Sequence, residues 1–382
     1  MPAPPEVAAR ISAQLLGGPP ATRPEDVVAR LLAVQGQDPR GFRLAVRCRS
    51  TGLTGADVDE ALGARRSLVV SWLNRGTLHL VTAGDYRWLH DLTTPPVRTA
   101  NARRLRQEGV DPAALVRGVD VVVAAVAEGP QTRAALRDRL DAAGVPTRGQ
   151  ALVHVLMEAA LLGHVVRGPV EQGTEQAWVS VPGWLGAAPD PLDRDEALAR
   201  LAERYLRGHG PATAADLARW AGLPLRDART GLAAIAARTE VVGHDSRGRD
   251  PLVDLADREP PGPLPPPRLL GAFEPVLLGW TSRDPIVGRH AAAVVSGGVF
   301  RPFALVDGRA VATWRVVGSQ VVGSQVAGSQ VELVPLERLG RATRAALDRD
   351  GRDVLRFLGL TRPSPRAGSR RRRSRGTARG GS

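Results

Sequence analysis

Two glutamines, Gln35 and Gln37, stand in the run Leu31-Leu32-Ala33-Val34-Gln35-Gly36-Gln37-Asp38-Pro39, and their spacing is the chain's most direct suggestion of chemistry. Gln35 falls four residues after Leu31, on the apolar side of a helix striped by Val28, Leu31 and Leu32. Gly36 suits the position just past a helix end, and Pro39 blocks continuation. Both amides are then expected at a helix end, facing inward or into a cleft. A buried amide without partners costs about 1–3 kcal/mol, so Gln35 either joins a helix-end hydrogen-bond network or lines a polar cavity. Glutamine is a poor acid or base, but its carbonyl can hold a water while its NH2 is held by neighbours. Asp38 is a stronger base in reserve, though beside Pro39 it equally suits a cap or turn.

Several other chemistries are closed to this chain. Cys48 is the only cysteine, which rules out an internal disulfide and any four-cysteine metal or iron–sulfur site within one chain. The seven histidines form no HxxxH or HxH pair, so neither a metal nor a cofactor is expected. All 52 basic residues are arginine, and without lysine a side-chain Schiff base cannot form.

Polar residues that could meet a phosphate or a base lie elsewhere. Arg75, Thr77 and His79 alternate with Leu78 and Leu80, which predicts a strand with the polar trio on one face, either touching phosphates or simply solvated. Trp280 and Arg283 could clamp a nucleotide, or Trp280 could be core. Arg148 and Gln150 open one helix, and Arg226 and Arg229 another. These are the positions from which a winged helix reads a groove, unless such helices pack together.

Glu128-Gly129-Pro130-Gln131-Thr132 and His209-Gly210-Pro211-Ala212-Thr213 open two similar segments. In the later one, Thr213-Ala214-Ala215-Asp216 has capping-box spacing, Leu217 and Trp220 mark a helix, and Gly222-Leu223-Pro224 breaks it. Leu225, Ala228, Leu232 and Ile235 then mark a second helix, and a strand–turn–strand follows through Val241 and Val253. The earlier segment repeats this grammar: a helix from Thr132 to Leu140, a break at Gly144-Val145-Pro146, a longer helix through Leu152 and Ala159, and strands at Val165-Val166 and Trp178-Val179. A looser first copy opens with a capping box at Thr22-Arg23-Pro24-Glu25 and ends in strands Ser67–Trp72 and Gly76–Val81.

Beyond Pro266 the pattern turns to β, with strands expected at Leu269-Leu270, Val276–Leu278, Ala293–Val295, Val299-Phe300, Phe303–Val306 and Ala310–Trp314, forming a small sheet or barrel. Val317-Gly318-Ser319-Gln320 and two further copies make a five-residue repeat, expected as a protruding loop without chemistry. The expected fold class is α+β: three winged-helix units at 1–108, 109–186 and 187–260, a β-rich region at 261–345, a C-terminal helix at 346–361 and a disordered tail at 362–382. That tail carries eight of the net thirteen positive charges, a composition suited to nucleic acid, a membrane surface or solubility alone. Met1-Pro2-Ala3-Pro4-Pro5 lacks a signal pattern and the apolar runs are too short for a bilayer, so a cytoplasmic, nucleoid-associated protein is expected, with no membrane or protein partner.

Taken together, Gln35-Gly36-Gln37, Arg75-Gly76-Thr77-Leu78-His79-Leu80, Gly210-Pro211-Ala212-Thr213 with Asp216-Leu217-Ala218 and Trp220, Leu269-Leu270 with Ala272-Phe273, Leu278-Gly279-Trp280 with Arg283, and Gly308-Arg309 with Thr313-Trp314-Arg315 resemble the AlkZ/YcaQ-type DNA glycosylases. The resemblance runs over roughly residues 7 to 360, far more than one short motif. Two departures stand out: Gly36 replaces a bulkier middle residue of the glutamine–hydrophobic–glutamine motif, and Glu274 stands where related chains tend to have Asp. The resemblance implies tandem winged helices and a monofunctional glycosylase that removes N-alkylated purines, bulky or crosslinked adducts included, from double-stranded DNA. It further implies Gln35 and Gln37 as the catalytic pair. A non-catalytic winged-helix DNA-binding protein, such as a regulator, is the alternative that spacing leaves open.

Overall fold

The β-branched run Leu68-Val69-Val70 lies in a strand buried on both faces, and that strand organises the first half of the chain. The computed structural model describes residues 4–245, 248–318, 320–322 and 325–361. In it β1 (Val34–Gln35), β2 (Leu68–Trp72), β3 (Leu78–Thr82), β4 (Val165–Gln172) and β5 (Glu175–Ser180) form one antiparallel sheet in the order β1-β3-β2-β4-β5. The two hairpins expected as separate wings therefore share a sheet, joined where Val70 faces Arg167. Because side chains alternate across a strand, Leu68, Val70, Trp72, Leu78 and Leu80 enter one core while Val69 and Val81 enter another. Trp72 stacks on Trp178 at 5.6 Å, and the Arg167 guanidinium lies over both rings. Burial, more than the nearby Arg133, pulls the pKa of Arg167 down to about 10.

Helix starts follow local chemistry in the second and third segments. Thr132 caps Arg133–Ala142, and Ala151–Leu161 runs buried through nearly its whole length. Thr213 and Asp216 close the expected reciprocal capping box at 3.1 and 3.0 Å, and Gly222, in the left-handed conformation, ends Ala214–Ala221. Helix Leu225–Ala234 and the hairpin β6 (Thr239–His244) and β7 (Pro251–Leu255) complete that segment. The expected capping box at Thr22 does not form. Arg23 occupies the cap position, and Glu25 instead accepts from Ser67 Oγ at 2.6 Å and Arg65 Nε at 3.0 Å.

The β-rich region is an open sheet. β8 (Arg268–Leu270) pairs with β11 (Phe303–Val306), which pairs with β12 (Arg309–Val317), which pairs with β15 (Gln330–Pro335); β9 (Val295–Ser296) and β10 (Val299–Phe300) make a separate hairpin. Val276–Leu278 is helical, not extended, because Pro275 presets the first helical turn of Pro275–Leu278 and Glu274 takes its cap position. Ala293 and Val294 likewise finish a short helix, Ala291–Val294. Parts of the five-residue repeat lie outside the described residues; its described pieces, β13 (Gln320–Val322) and β14 (Gln325–Ala327), pair with each other. The arginine-rich tail from residue 362 also lies outside them.

Close backbone approach docks the β-rich region onto the first segment. A Cβ on Gly41, in helix Pro39–Arg47, would stand 2.5 Å from the Ala272 carbonyl oxygen, so only glycine fits there without a shift. Arg47 bonds Asp350, Asp353 and the Leu269 carbonyl, tying the same helix to the C-terminal helix Arg341–Phe357. Among the described residues no helix is long and apolar enough to cross a membrane.

Candidate active site

Gln35 is on a strand, not at a helix end. Helix Pro24–Leu31 stops because Leu32 takes a positive φ of 63°, and the chain then pairs as β1, Val34 with Leu80 and Gln35 with His79. The Gly36 amide donates to the Leu78 carbonyl at 2.6 Å, so Gly36 continues the pairing instead of closing a helix. A Cβ at Gly36 would come within 3.2 Å of Val70 Cγ1, so a bulkier middle residue requires Val70 to give way. Gln37 is exposed, and its Oε1 accepts from the Leu78 amide at 3.4 Å. Asp38 is the N-cap of Pro39–Arg47, its carboxylate accepting from the Arg40 amide at 2.8 Å.

The Gln35 side chain, 8% exposed, faces a small cavity lined also by Ala33, Arg75, His79, Trp220, Pro275 and Leu278. Its volume of about 10 Å³ is that of one water. Arg75 does not lie on the strand. It sits in the turn Asn74–Gly76 with φ 57°, donates through Nη1 to the carbonyls of Trp220 and Arg219, and reaches Gln35 Oε1 with Nη2 at 3.5 Å. Arg75, which lines the cavity, is held at positive φ without being glycine, a conformation that costs of order 1 kcal/mol and persists only where packing enforces it.

Behind Pro275 lies a fully buried ion pair. Arg49 Nη2 bonds Glu274 Oε1 and Gln14 Oε1, Arg49 Nε bonds the Gln14 carbonyl at 2.7 Å, and Gln14 Nε2 donates to the Pro275 carbonyl at 3.3 Å. Neither ion has measurable side-chain exposure. The network fixes the short helix Pro275–Leu278 whose first and last residues wall the cavity. Cys48, beside Arg49, is buried and its thiol is pushed up to about 11 by that burial, so no thiolate nucleophile is available.

His79 is buried, 2% exposed, and cannot meet a phosphate. Of the expected polar trio only His79 lies on the strand, which begins at Leu78, and both faces of β3 are covered by cores, which sequence periodicity alone does not reveal. Its Nδ1 lies 2.9 Å from the Thr77 carbonyl, which can only accept. The neutral ring therefore carries its proton on Nδ1 and presents Nε2 as an acceptor. Burial first, then the charge of Arg75, pushes the His79 pKa down to about 3. Thr77 precedes the strand and bonds the Asn74 carbonyl through Oγ1 at 3.3 Å.

A stability consequence follows from His79 and from His209, whose pKa burial likewise lowers to about 3. Both histidines stay neutral when folded but take a proton near pH 6.5 when unfolded, so their contribution is complete above that pH and is lost as pH falls toward 3. Between these limits each removes up to about 1.4 kcal/mol per pH unit. Urea midpoints at pH 8.5, 7.5 and 5.5 should hold level across the first step and drop over the second. Equal midpoints at all three would contradict this account.

The remaining candidates are dispersed. Trp280 is core: its Nε1 donates to the His209 carbonyl at 2.9 Å and Arg10 lies over its ring. Arg283 donates to the Leu277 carbonyl at 2.8 Å and rests on Phe300. Both also edge a cavity of about 730 Å³, with Arg10, Asp216 and Thr281. Arg148 and Gln150 are exposed at the start of Ala151–Leu161, but that helix is buried between neighbours and cannot enter a groove. Arg226 and Arg229 are exposed on Leu225–Ala234, whose other side packs through Ala228 and Gly231 against helix Arg194–His209. Sequence reasoning brought Gln35, Arg75 and His79 forward but missed Trp220, Pro275 and Leu278; the Glu274-Pro275 cap signal could have flagged the last two as helical. Among the described residues no cluster of three His, Cys, Asp or Glu could hold a metal.

The structure is similar to that of the Streptomyces sahachiroi DNA glycosylase AlkZ, with a TM-score of 0.72, 24% identity, and coverage of 93% of this chain and 96% of that one. No curated protein matches. The model of the AlkZ-like DNA glycosylase family matches residues 28–357, a span that holds Gln35, Gln37, Arg75 and Glu274, and the chain belongs to that family.

Proposed function

We propose that the protein hydrolyses the N-glycosidic bond of alkylated purines in double-stranded DNA, with water as nucleophile and without strand cleavage. The observation that carries this is the water-sized cavity between Gln35 and His79, one residue from the exposed Gln37. An N7-alkylated purine is already cationic and leaves readily, so the enzyme has mainly to position water and surround a positive sugar with fixed dipoles. Gln37, exposed and lightly held, orients the attacking water through its carbonyl. Gln35 fixes that water or contacts the lesion: Arg75 occupies its Oε1, which leaves its NH2 as the donor facing the cavity. The Nε2 of His79 is a further acceptor there. A purine does not fit a cavity of this size, which supports a lesion approached from the solvent side of Gln37 while the buried side keeps water. Exposed Arg226 and Arg229 suit backbone contacts.

The chain has no lysine, so an amine–C1′ imine and the β-elimination that follows it have no side chain to proceed through. The test is incubation with duplexes carrying N7-methylguanine, N3-methyladenine or a bulky N7 adduct. Free base should appear, the abasic strand should stay whole, and borohydride should trap no protein–DNA adduct. Binding without base release would favour a non-catalytic DNA-binding protein. A trapped adduct would refute attack by water.

A further inference from the structure

We propose that Arg75, Arg219 and Arg283 form a seat for one DNA phosphodiester beside the nucleotide whose glycosidic bond is cut, an inference that rests on the glycosylase function above. Arg219 is exposed near the end of helix Ala214–Ala221, and among the described residues its guanidinium has no hydrogen bond or ion pair. Arg75 and Arg283 bond only carbonyl groups, those of Trp220, Arg219 and Leu277 and the side-chain amide of Gln35, and lean on no carboxylate. Three other enclosed arginines, Arg47, Arg49 and Arg204, each pair with an acid, and Arg167, which has none, is held over two tryptophan rings. Arg75 is bonded to the backbone of Arg219 and lines one cavity with Leu278, next to the Leu277 carbonyl that holds Arg283, so three cations gather here without an anion and are electrostatically incomplete. The cost is visible in Arg75, whose pKa is pulled down to about 10 by burial and then by Arg219 and Arg283, and in Arg283, lowered by burial and then by Arg219.

The geometry suits a phosphate in particular. The C-terminal carbonyls of a helix ordinarily repel an anion, but Arg75 covers two of them, so this helix end presents positive charge. Guanidinium groups match phosphate oxygens with paired donors. Arg75 also stands 3.5 Å from Gln35, where an uncompensated cation would oppose the positive charge that grows on the sugar as the base departs. A seated phosphate cancels that opposition. The strand that supplies the substrate thus completes the electrostatics of the site.

The test uses full-length protein and a duplex containing a tetrahydrofuran abasic analogue, with one neutral methylphosphonate placed on either side of it. Wild type should lose about tenfold in affinity at one of the two positions, whereas Arg219→Gln should lose less than about twofold there. For the all-phosphate duplex, Arg219→Gln should flatten the log Kd against log salt slope by about 0.9, the share of one phosphate, and Arg219→Lys should restore it. A wild-type slope and methylphosphonate profile in Arg219→Gln overturns the seat. Base release from N7-methylguanine duplex is followed in parallel. A chain that releases base but fails the Arg219 test refutes the seat alone, whereas one that binds DNA and releases no base refutes the glycosylase function.

Discussion

Gln37→Ala should lower single-turnover release of N7-methylguanine by at least about 100-fold, the usual loss when one preorganised polar group at a reaction centre is removed. Gln37 is exposed and makes one long hydrogen bond, to the Leu78 amide, so its truncation should change stability by less than about 0.5 kcal/mol. Gln35→Ala should lose a similar factor in rate and also about 1–2 kcal/mol of stability, because Arg75 then keeps a donor without its partner. DNA affinity measured by anisotropy should stay within about threefold for Gln37→Ala, since a single neutral contact is removed. Release by Gln37→Ala within about fivefold of wild type would take the water from Gln37 and give it to His79.

Glu274→Ala should be the most destabilising change near the site. It leaves Arg49 charged and enclosed with only neutral partners, Gln14 and the Ala45 carbonyl, at a cost of about 3–5 kcal/mol. That corresponds to roughly 4–6 °C in melting temperature for a chain of this size. Replacing both ions with apolar residues, Arg49→Met with Glu274→Leu, should recover most of the loss, because the penalty comes from the stranded charge and not from the missing attraction. Glu274→Asp should fall between the two, its carboxylate one methylene short of Arg49. A melting temperature within about 2 °C of wild type for Glu274→Ala would mean that Arg49 is solvated after all.

Much of this was legible from residue types. The capping box of Thr213 and Asp216 and the glycine at 222 set out one helix–turn–helix before any coordinates, and Gln35-Gly36-Gln37 with Arg75 to His79 named one side of the site. What was not legible has specific causes. A leucine with positive φ, as at Leu32, carries no local signal, since leucine is a good helix former; the break is imposed by β1 pairing with β3. Alternation shows that His79 and Leu80 point to opposite faces but not that both faces are covered. A short apolar run such as Val276-Leu277-Leu278 suits strand and helix equally, and there Pro275 decides. The cavity wall supplied by Trp220 comes from a segment 185 residues beyond Gln35, as the two residue numbers give, a separation that no local pattern spans.

The shared sheet has a consequence for biosynthesis. β2 takes β3 as its neighbour on one side within a few residues, but its other neighbour, β4, does not leave the ribosome until the chain has grown past residue 165. Until then the nascent hairpin carries a bare, apolar edge, the kind of surface on which incomplete chains join one another. The helices made in that interval, from Ala83 to Leu161, are the shelter available to it, so the order of synthesis supplies cover for the hairpin before it supplies its partner.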